Sequence, residues 1–279
     1  MEPAALYEPS GAIGYVTLNR PHVLNAMNDE WIHTLAAAAQ AAHEDAAARV
    51  IVIRGRGRAF CAGADLKEIP RRQELMEHWR THIGPEQEIA RRFRRLGKPL
   101  IAQVHGYAVG GGCEVAMLAD MRIAAEGTRF GFTEVKVGAT VTMGGLYNLT
   151  RIVGAGRAFE LLYTAELIDA AEALRIGLVN RVVPADELET FVSALPRRSQ
   201  RITRPSWRSR VRAFTARWTW TSTRRSRWNS ARRCCRIWRA RGSRGWRGRR
   251  NVSISARAAR DDGASMASTT RAEFRIASG

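Results

Sequence analysis

Short apolar segments alternate with helical patterns along most of the first 190 residues. AIGYVTL (12–18), RVIVIRG (49–55), KPLIAQVHG (98–106), MRIAAE (121–126) and GLVNRVV (177–183) are apolar and rich enough in β-branched residues to be strands. Between them lie helical patterns. Asn28 or Asp29 can cap a helix through WIHTLAAAAQAAHED. A mostly charged helix or helix pair is predicted from about 71 to 95, interrupted near Gly84-Pro85. Further helical pieces are expected at 144–153, 156–164 and 170–176, and PADELE (184–189) starts a last one. Strands and helices alternating at this spacing predict an α/β fold, a mainly parallel sheet covered by helices.

The chain's 279 residues suffice for one large core or two modest domains. Its net charge of +19 invites a nucleic-acid reading, but the charge is not spread evenly. Residues 191–279 carry 24 arginines, no lysine and 3 acidic residues, which leaves 1–190 close to neutral. Six of the eight tryptophans also fall there, among arginine and serine. The predicted organisation is therefore a core over 1–190 and an Arg/Trp/Ser-rich tail over 191–279. Three readings of the tail stand beside one another: a nucleic-acid-binding arm, a natural disordered tail, and translation of GC-rich DNA out of frame. The lack of lysine, and a start midway through a predicted helix, favour the last. For the core no nucleic acid is expected. No opening stretch reads as a signal peptide and no apolar run reaches membrane-spanning length, so a soluble cytoplasmic protein is expected. Cys61, Cys113, Cys234 and Cys235 lack metal-ligand spacing. Cys61 and Cys113 read as small buried residues in a reduced compartment.

Three pieces of the core carry chemistry: AFCAGADLKE (59–68), HGYAVGGGCE (105–114) and RFGFTEVKVG (129–138). With no side chains at Gly110, Gly111 and Gly112, a ligand can touch the main chain, and the same turn opens a helix. Such amides suit an oxygen that gains negative charge. A second N–H near Ala64 would complete a two-donor oxyanion hole. Glu114 and Glu134 are carboxylates in weakly polar settings, and a pair facing one substrate can divide acid and base roles. Plainer accounts exist for each. The triple glycine alone suits a tight turn, Glu114 a first-turn glutamate, Glu134 a surface residue, and Asp65 a helix cap. His105 reads as a strand-end structural histidine, and Cys113 has no histidine placed to make it a nucleophile.

Together with LNRPHVLNAMN (18–28), TMGG (142–145) and LRIGLVNRVV (174–183), these pieces resemble the crotonase superfamily, the enoyl-CoA hydratase/isomerase family, over about residues 5–190. The resemblance implies a spiral of ββα repeats with surrounding helices, and acyl-CoA thioesters as substrates. It implies that the thioester oxygen sits between the N–H groups of Ala64 and Gly111. Ala62, Ala64, Asp65, Leu66, Lys67, Gly110 and Gly111 would bind substrate. Glu114 would activate water for attack at C3, and Glu134 would handle the proton at C2. Keeping both glutamates favours hydration, a hydro-lyase reaction on a trans-2-enoyl-CoA. The alternatives are double-bond isomerisation, another acyl-CoA reaction, or an inactive acyl-CoA-binding homologue. No metal or redox cofactor is implied, CoA being part of the substrate. Hydratases usually carry proline where Thr133 stands and often glycine where Thr142 stands. Members end in helices that cover the acyl pocket and build trimers or hexamers, and no such helices are predicted after 191.

Overall fold

A computed structural model of the chain describes residues 2–67 and 75–199. The readings of residues 200–279 lie outside the described residues.

A six-stranded sheet carries the fold, in the order β1 (Ala5–Ser10), β2 (Ile13–Leu18), β3 (Val50–Gly55), β4 (Leu100–Val104), β6 (Met121–Ala125) and β9 (Arg181–Val183). Only β1 runs antiparallel to its neighbour; every other pair in this sheet is parallel. A smaller sheet joins β5 (Tyr107–Val109), β7 (Arg129–Gly131) and β8 (Ile168–Asp169). The helices are α1 (Asp29–Glu44), α2 (Leu75–Arg95), α3 (Gly111–Met117), α4 (Gly145–Val153), α5 (Ala155–Thr164), α6 (Ala170–Arg175) and α7 (Leu188–Ser199).

The spiral arises from one device used three times. Two residues beyond the ends of β3, β4 and β6 stand Gly57, Gly106 and Gly127, with φ of +80°, +62° and +76°. A positive φ is cheap for glycine and costly for other residues. Each glycine turns the chain out of the large sheet into a short second segment. The three second segments pair side by side in parallel, Cys61 with Ala108 and β5 with β7. At Gly106 a side chain would also collide with the Arg58 carbonyl.

The centre of the large sheet is buried on both faces. Ile51 and Ile53 pack toward α1, with Trp31, Leu35 and Ala39. Val50 and Val52 face the other way and pack with Ile101, Ile123, Leu188 and Val192. This accounts for the unbroken apolar run VIVI, the mark of a parallel strand covered on two sides. Asn28 caps α1, its Oδ1 accepting from the Trp31 amide at 2.9 Å.

Several expectations need correcting. α2 continues through Pro85 without the break expected at Gly84-Pro85. Ile89, Ala90 and Phe93 are buried beyond the proline, and this packing outweighs the one backbone bond that proline removes. The last strand spans only Arg181–Val183, since residues 177–180 form the turn before it. The last helix starts at Leu188, after a turn over 185–187. It then runs through the 190/191 composition break to Ser199. Leu188, Val192 and Leu195 repeat at i, i+4 and i+7, so a helical period persists to that point. Leu188 is 3% exposed. We expect Leu188→Ala to cost about 2–5 kcal/mol in a urea unfolding titration. A loss under about 1 kcal/mol would show that α7 contributes little to the core.

Candidate active site

Two glycines in contact aim two amides at one place. Gly63 has φ +91°, and its carbonyl accepts from the Met27 amide at 2.8 Å. In a trans peptide the next N–H points opposite to that carbonyl, so the Ala64 amide points away from Met27. Gly110 has φ +55°, and its carbonyl accepts from the Glu114 amide at 3.1 Å, inside α3. The same rule turns the Gly111 amide outward from the helix start. Gly63 and Gly110 pack backbone to backbone: a Cβ built on Gly63 would lie 2.8 Å from the Val109 oxygen and 3.7 Å from the Gly110 Cα. Neither amide makes a hydrogen bond among the described residues. Beside them, a Cβ on Gly111 would run into the Met27 sulfur and lie 3.7 Å from Met143 Cε. Both methionines are buried, so an apolar wall adjoins the donors.

Glu114 stands on the first turn of α3 and is 2% exposed. Its Oε1 accepts a long hydrogen bond from Thr142 Oγ1 at 3.5 Å, and the Thr142 amide also faces it. Its Oε2 lies where a side chain on Gly145 would intrude, 2.5 Å from the built Cβ. Glu134 opens the 3₁₀ turn Glu134–Val137, which follows β7. Its Oε1 lies 3.6 Å from where a Gly110 Cβ would be. Glu114 Oε2 and both oxygens of Glu134 are enclosed with no hydrogen-bond partner among the described residues. The two carboxyls are neighbours, near enough for the charge of Glu134 to bear on Glu114.

Burial raises the pKa of both. Glu114 is held well above the usual carboxylate range by desolvation, then by the charges of Glu134 and Glu86; hydrogen bonds from Thr142 oppose this. Glu134 is raised by desolvation and by the Glu86 charge, against its own amide and the neighbouring Glu114 carboxyl. Such a pair titrates as a unit and holds one proton more readily than none.

The remaining predicted residues divide by exposure. Ala64, Leu66 and Lys67 are exposed beside the donors, and Ala62 is half-buried. Asp65 turns inward instead. Its Oδ2 pairs with Arg20 Nη1 at 3.0 Å, and its Oδ1 accepts from the Lys67 amide at 3.3 Å. Its carboxylate therefore shapes the loop, and its backbone is what lies at the site. His105 Nε2 lies 2.9 Å from the Gly57 carbonyl at the end of β4, as a structural histidine would. Cys61 and Cys113 are free and buried. Burial pushes the Cys61 thiol up to about 12 and raises Cys113 as well, so neither is a ready nucleophile.

A family profile described as enoyl-CoA hydratase/isomerase matches residues 8–225. The chain belongs to this family. Among its relatives, the short-chain-enoyl-CoA hydratase of Clostridium acetobutylicum is 41% identical over 184 residues, 66% of this chain and 70% of the relative. The crotonyl-CoA hydratase of Syntrophomonas wolfei is 40% identical over the same length and shares. The solved structure of an enoyl-CoA hydratase/carnithine racemase from Magnetospirillum magneticum superposes with a TM-score of 0.73 at 32% identity, covering 78% of this chain and 82% of that one. The enoyl-CoA hydratase/isomerase fold expected from the motifs is the fold observed.

Sequence reasoning within the family overlooked three features of the site. Met27 and Met143 read as ordinary apolar residues. Gly63 lay inside a quoted motif, but the peptide flip it makes has no sequence mark beyond glycine itself. Glu86 did have a signal: it precedes Ile89, Ala90 and Phe93 on one helix stripe, where an apolar residue belongs.

Proposed function

We propose that the protein is an enoyl-CoA hydratase, adding water across the double bond of a trans-2-enoyl-CoA to give a 3-hydroxyacyl-CoA. The observation that carries this reading is the pairing of two enclosed carboxyls, Glu114 and Glu134, beside two free amides. In the reacting state Glu114 is the ionised member, its carboxylate met by the Thr142 donors against the cost of burial, and it takes a proton from water as the water oxygen bonds to C3. The electron pair of the double bond moves onto the thioester oxygen, where Ala64 and Gly111 donate. Glu134 delivers its proton to C2, and the carbonyl re-forms. Glu114 ends protonated and Glu134 ionised, so one proton transfer across the pair restores the start. Charge that grows only in the transition state makes the two amides count for rate rather than for binding alone.

Acid–base groups and amide donors complete this path, and it calls on no metal or redox group. The exposed Ala64, Leu66 and Lys67 suit the polar CoA moiety, and the Met27–Met143 wall the acyl chain. Phe159 and Tyr163 stack at 5.5 Å on the surface, Tyr163 being 75% exposed, which fits a family-like trimer or hexamer. A soluble cytoplasmic setting suits the free thiols. A double-bond isomerase needs one proton shuttle, so the second enclosed carboxyl favours hydration.

Product analysis on a short trans-2-enoyl-CoA tests the reading. A 3-hydroxyacyl thioester is expected; a shifted alkene would replace the proposal with isomerisation, and no turnover would leave an acyl-CoA binder. The pH profile follows from the raised carboxyls. Below the raised value both members are protonated and no base remains. We therefore expect kcat/KM to fall with acidity at a pH above the ordinary carboxylate range. An acid limb at the ordinary glutamate value would contradict the assignment.

A further inference from the structure

One loop closes over Glu114. Thr142 turns its hydroxyl and its amide toward that carboxyl, the hydroxyl donating to Oε1 at 3.5 Å. Two residues in the left-handed region follow it, Met143 at φ +39° and Gly144 at φ +78°. That conformation is costly for a methionine, and the burial of Met143 holds it there. The Gly145 amide donates back to the Thr142 carbonyl and closes the turn. From outside, Arg94 of α2 donates to Asn148 at 3.2 Å, and the Asn148 amide donates to the Gly144 carbonyl at 2.9 Å. The side chain of Thr142 is therefore carried by a braced turn.

Hydroxyl donors reach the two carboxyls unequally. Of their four oxygens, Glu114 Oε1 has the Thr142 hydroxyl on it; Glu114 Oε2 and both oxygens of Glu134 have no hydrogen-bond partner among the described residues. Counter-charge does not even this out. The loop over 141–145 carries no charged residue, and α3 adds only the buried Cys113 thiol beside Glu114. The turn after β7 carries Glu134 itself and an exposed Lys136. α4 carries Arg151, which lies 5.2 Å from the Tyr147 ring centroid, and α2 carries the buried Glu86.

We propose that Thr142 is a positioning residue of this site, whose hydroxyl holds one oxygen of Glu114 and so makes Glu114, and not Glu134, the base of the pair. Two neighbouring carboxyls that share one proton leave open which of them is ionised. A donor aimed at one of them favours the ionised form of that one. It also fixes the rotation of the carboxyl, so that Oε2, on the side of the bare Gly145, is the oxygen that takes the proton. A glycine at position 142 would supply the amide alone. The inference rests on the hydratase reading for its catalytic consequence, but not for its measurement.

The test compares wild type, Thr142→Val and Thr142→Ser in two readouts. One is the pH–rate profile of hydration; the other is titration of the carboxyls by NMR on 13C-glutamate-labelled protein, which needs no turnover. Valine keeps the branched shape and loses the donor. In Thr142→Val kcat should fall about tenfold with KM little changed. The acid limb of the profile and the Glu114 titration should move to higher pH, because the ionised form has lost a hydrogen bond. Thr142→Ser, which keeps the hydroxyl, should return all three toward wild type. Thr142→Ala should behave as Thr142→Val if valine disturbs the turn. An unchanged Glu114 titration in the hydroxyl-free variants, with or without altered thermal stability, would overturn the proposal, as would a serine variant that behaves like valine. If wild type hydrates nothing, the functional reading falls, and the NMR titration still decides this one.

Discussion

Glu134→Gln should remove hydration and leave the fold intact. Glutamine matches the shape of glutamate but cannot give up a proton to C2. Loss of a positioned acid or base typically costs about 10²–10⁴ in rate. We expect that loss in kcat, with KM changed little, because the charge on the thioester oxygen is still met by the Ala64 and Gly111 amides. Glu114→Gln should cost a similar factor. The double variant should fall little further than the worse single one, since the two residues act as one unit. Stability provides the control. Burial raises both carboxyls above their unfolded values, so between those values the native state binds more protons than the unfolded chain. Native stability therefore falls as pH rises through that window, and an ionised carboxylate held there is destabilising. At neutral pH the glutamine variants should melt at or above the wild-type temperature. Wild-type turnover in Glu134→Gln would end the two-carboxyl mechanism.

Gly112→Ala should damage both fold and catalysis. A Cβ there would fall against the Cys61 carbonyl oxygen, with the Cys61 carbonyl carbon and Cβ each at 2.9 Å. These are atoms of the segment that ends in Gly63 and Ala64, and main chain cannot swing aside as a long side chain can. Relief requires α3 to back away from that segment. The cost in stability should be about 1–3 kcal/mol, as for overpacking in a close-packed core. The rate cost should be larger. The Ala64 and Gly111 amides ride on the two parts being wedged apart, and loss of one such donor typically costs roughly 10²–10³. Gly156→Ala serves as the comparison. It lies inside α5, its built Cβ meets nothing within 4 Å, and it should be neutral or stabilising by up to about 1 kcal/mol. Full activity in Gly112→Ala would show that the two amides do not depend on this contact.

How much could be read from residues alone varied with the range of the interaction. The strands at the sheet centre were legible because β3 and β4 are buried on both faces and therefore apolar throughout. β1 was not predicted. Its ALYEPS is half polar, because an edge strand has one neighbour and exposed residues. The second sheet was missed as well: β5, β7 and β8 are three residues or fewer, too short to show a period. Proline in α2 misled because its local penalty is visible in the sequence, while the compensating burial of Ile89 and Phe93 is not. The composition break at 191 hid the last turns of α7, where Val192 and Leu195 continue the stripe begun at Leu188.

The sequence by itself determined the class of fold, the family, the glycines that let backbone amides approach a ligand, and the identity of two unusual glutamates. Each of these is a property of local pattern or residue type. Only the tertiary structure decided that Gly63 and Gly110 touch, that Asp65 turns to Arg20 and away from the site, and that Thr142 donates to Glu114. Contacts between residues 20 to 50 positions apart depend on how three glycine corners stack the chain upon itself. The protonation state of Glu114 and Glu134 depends on the burial and charge which that stacking creates.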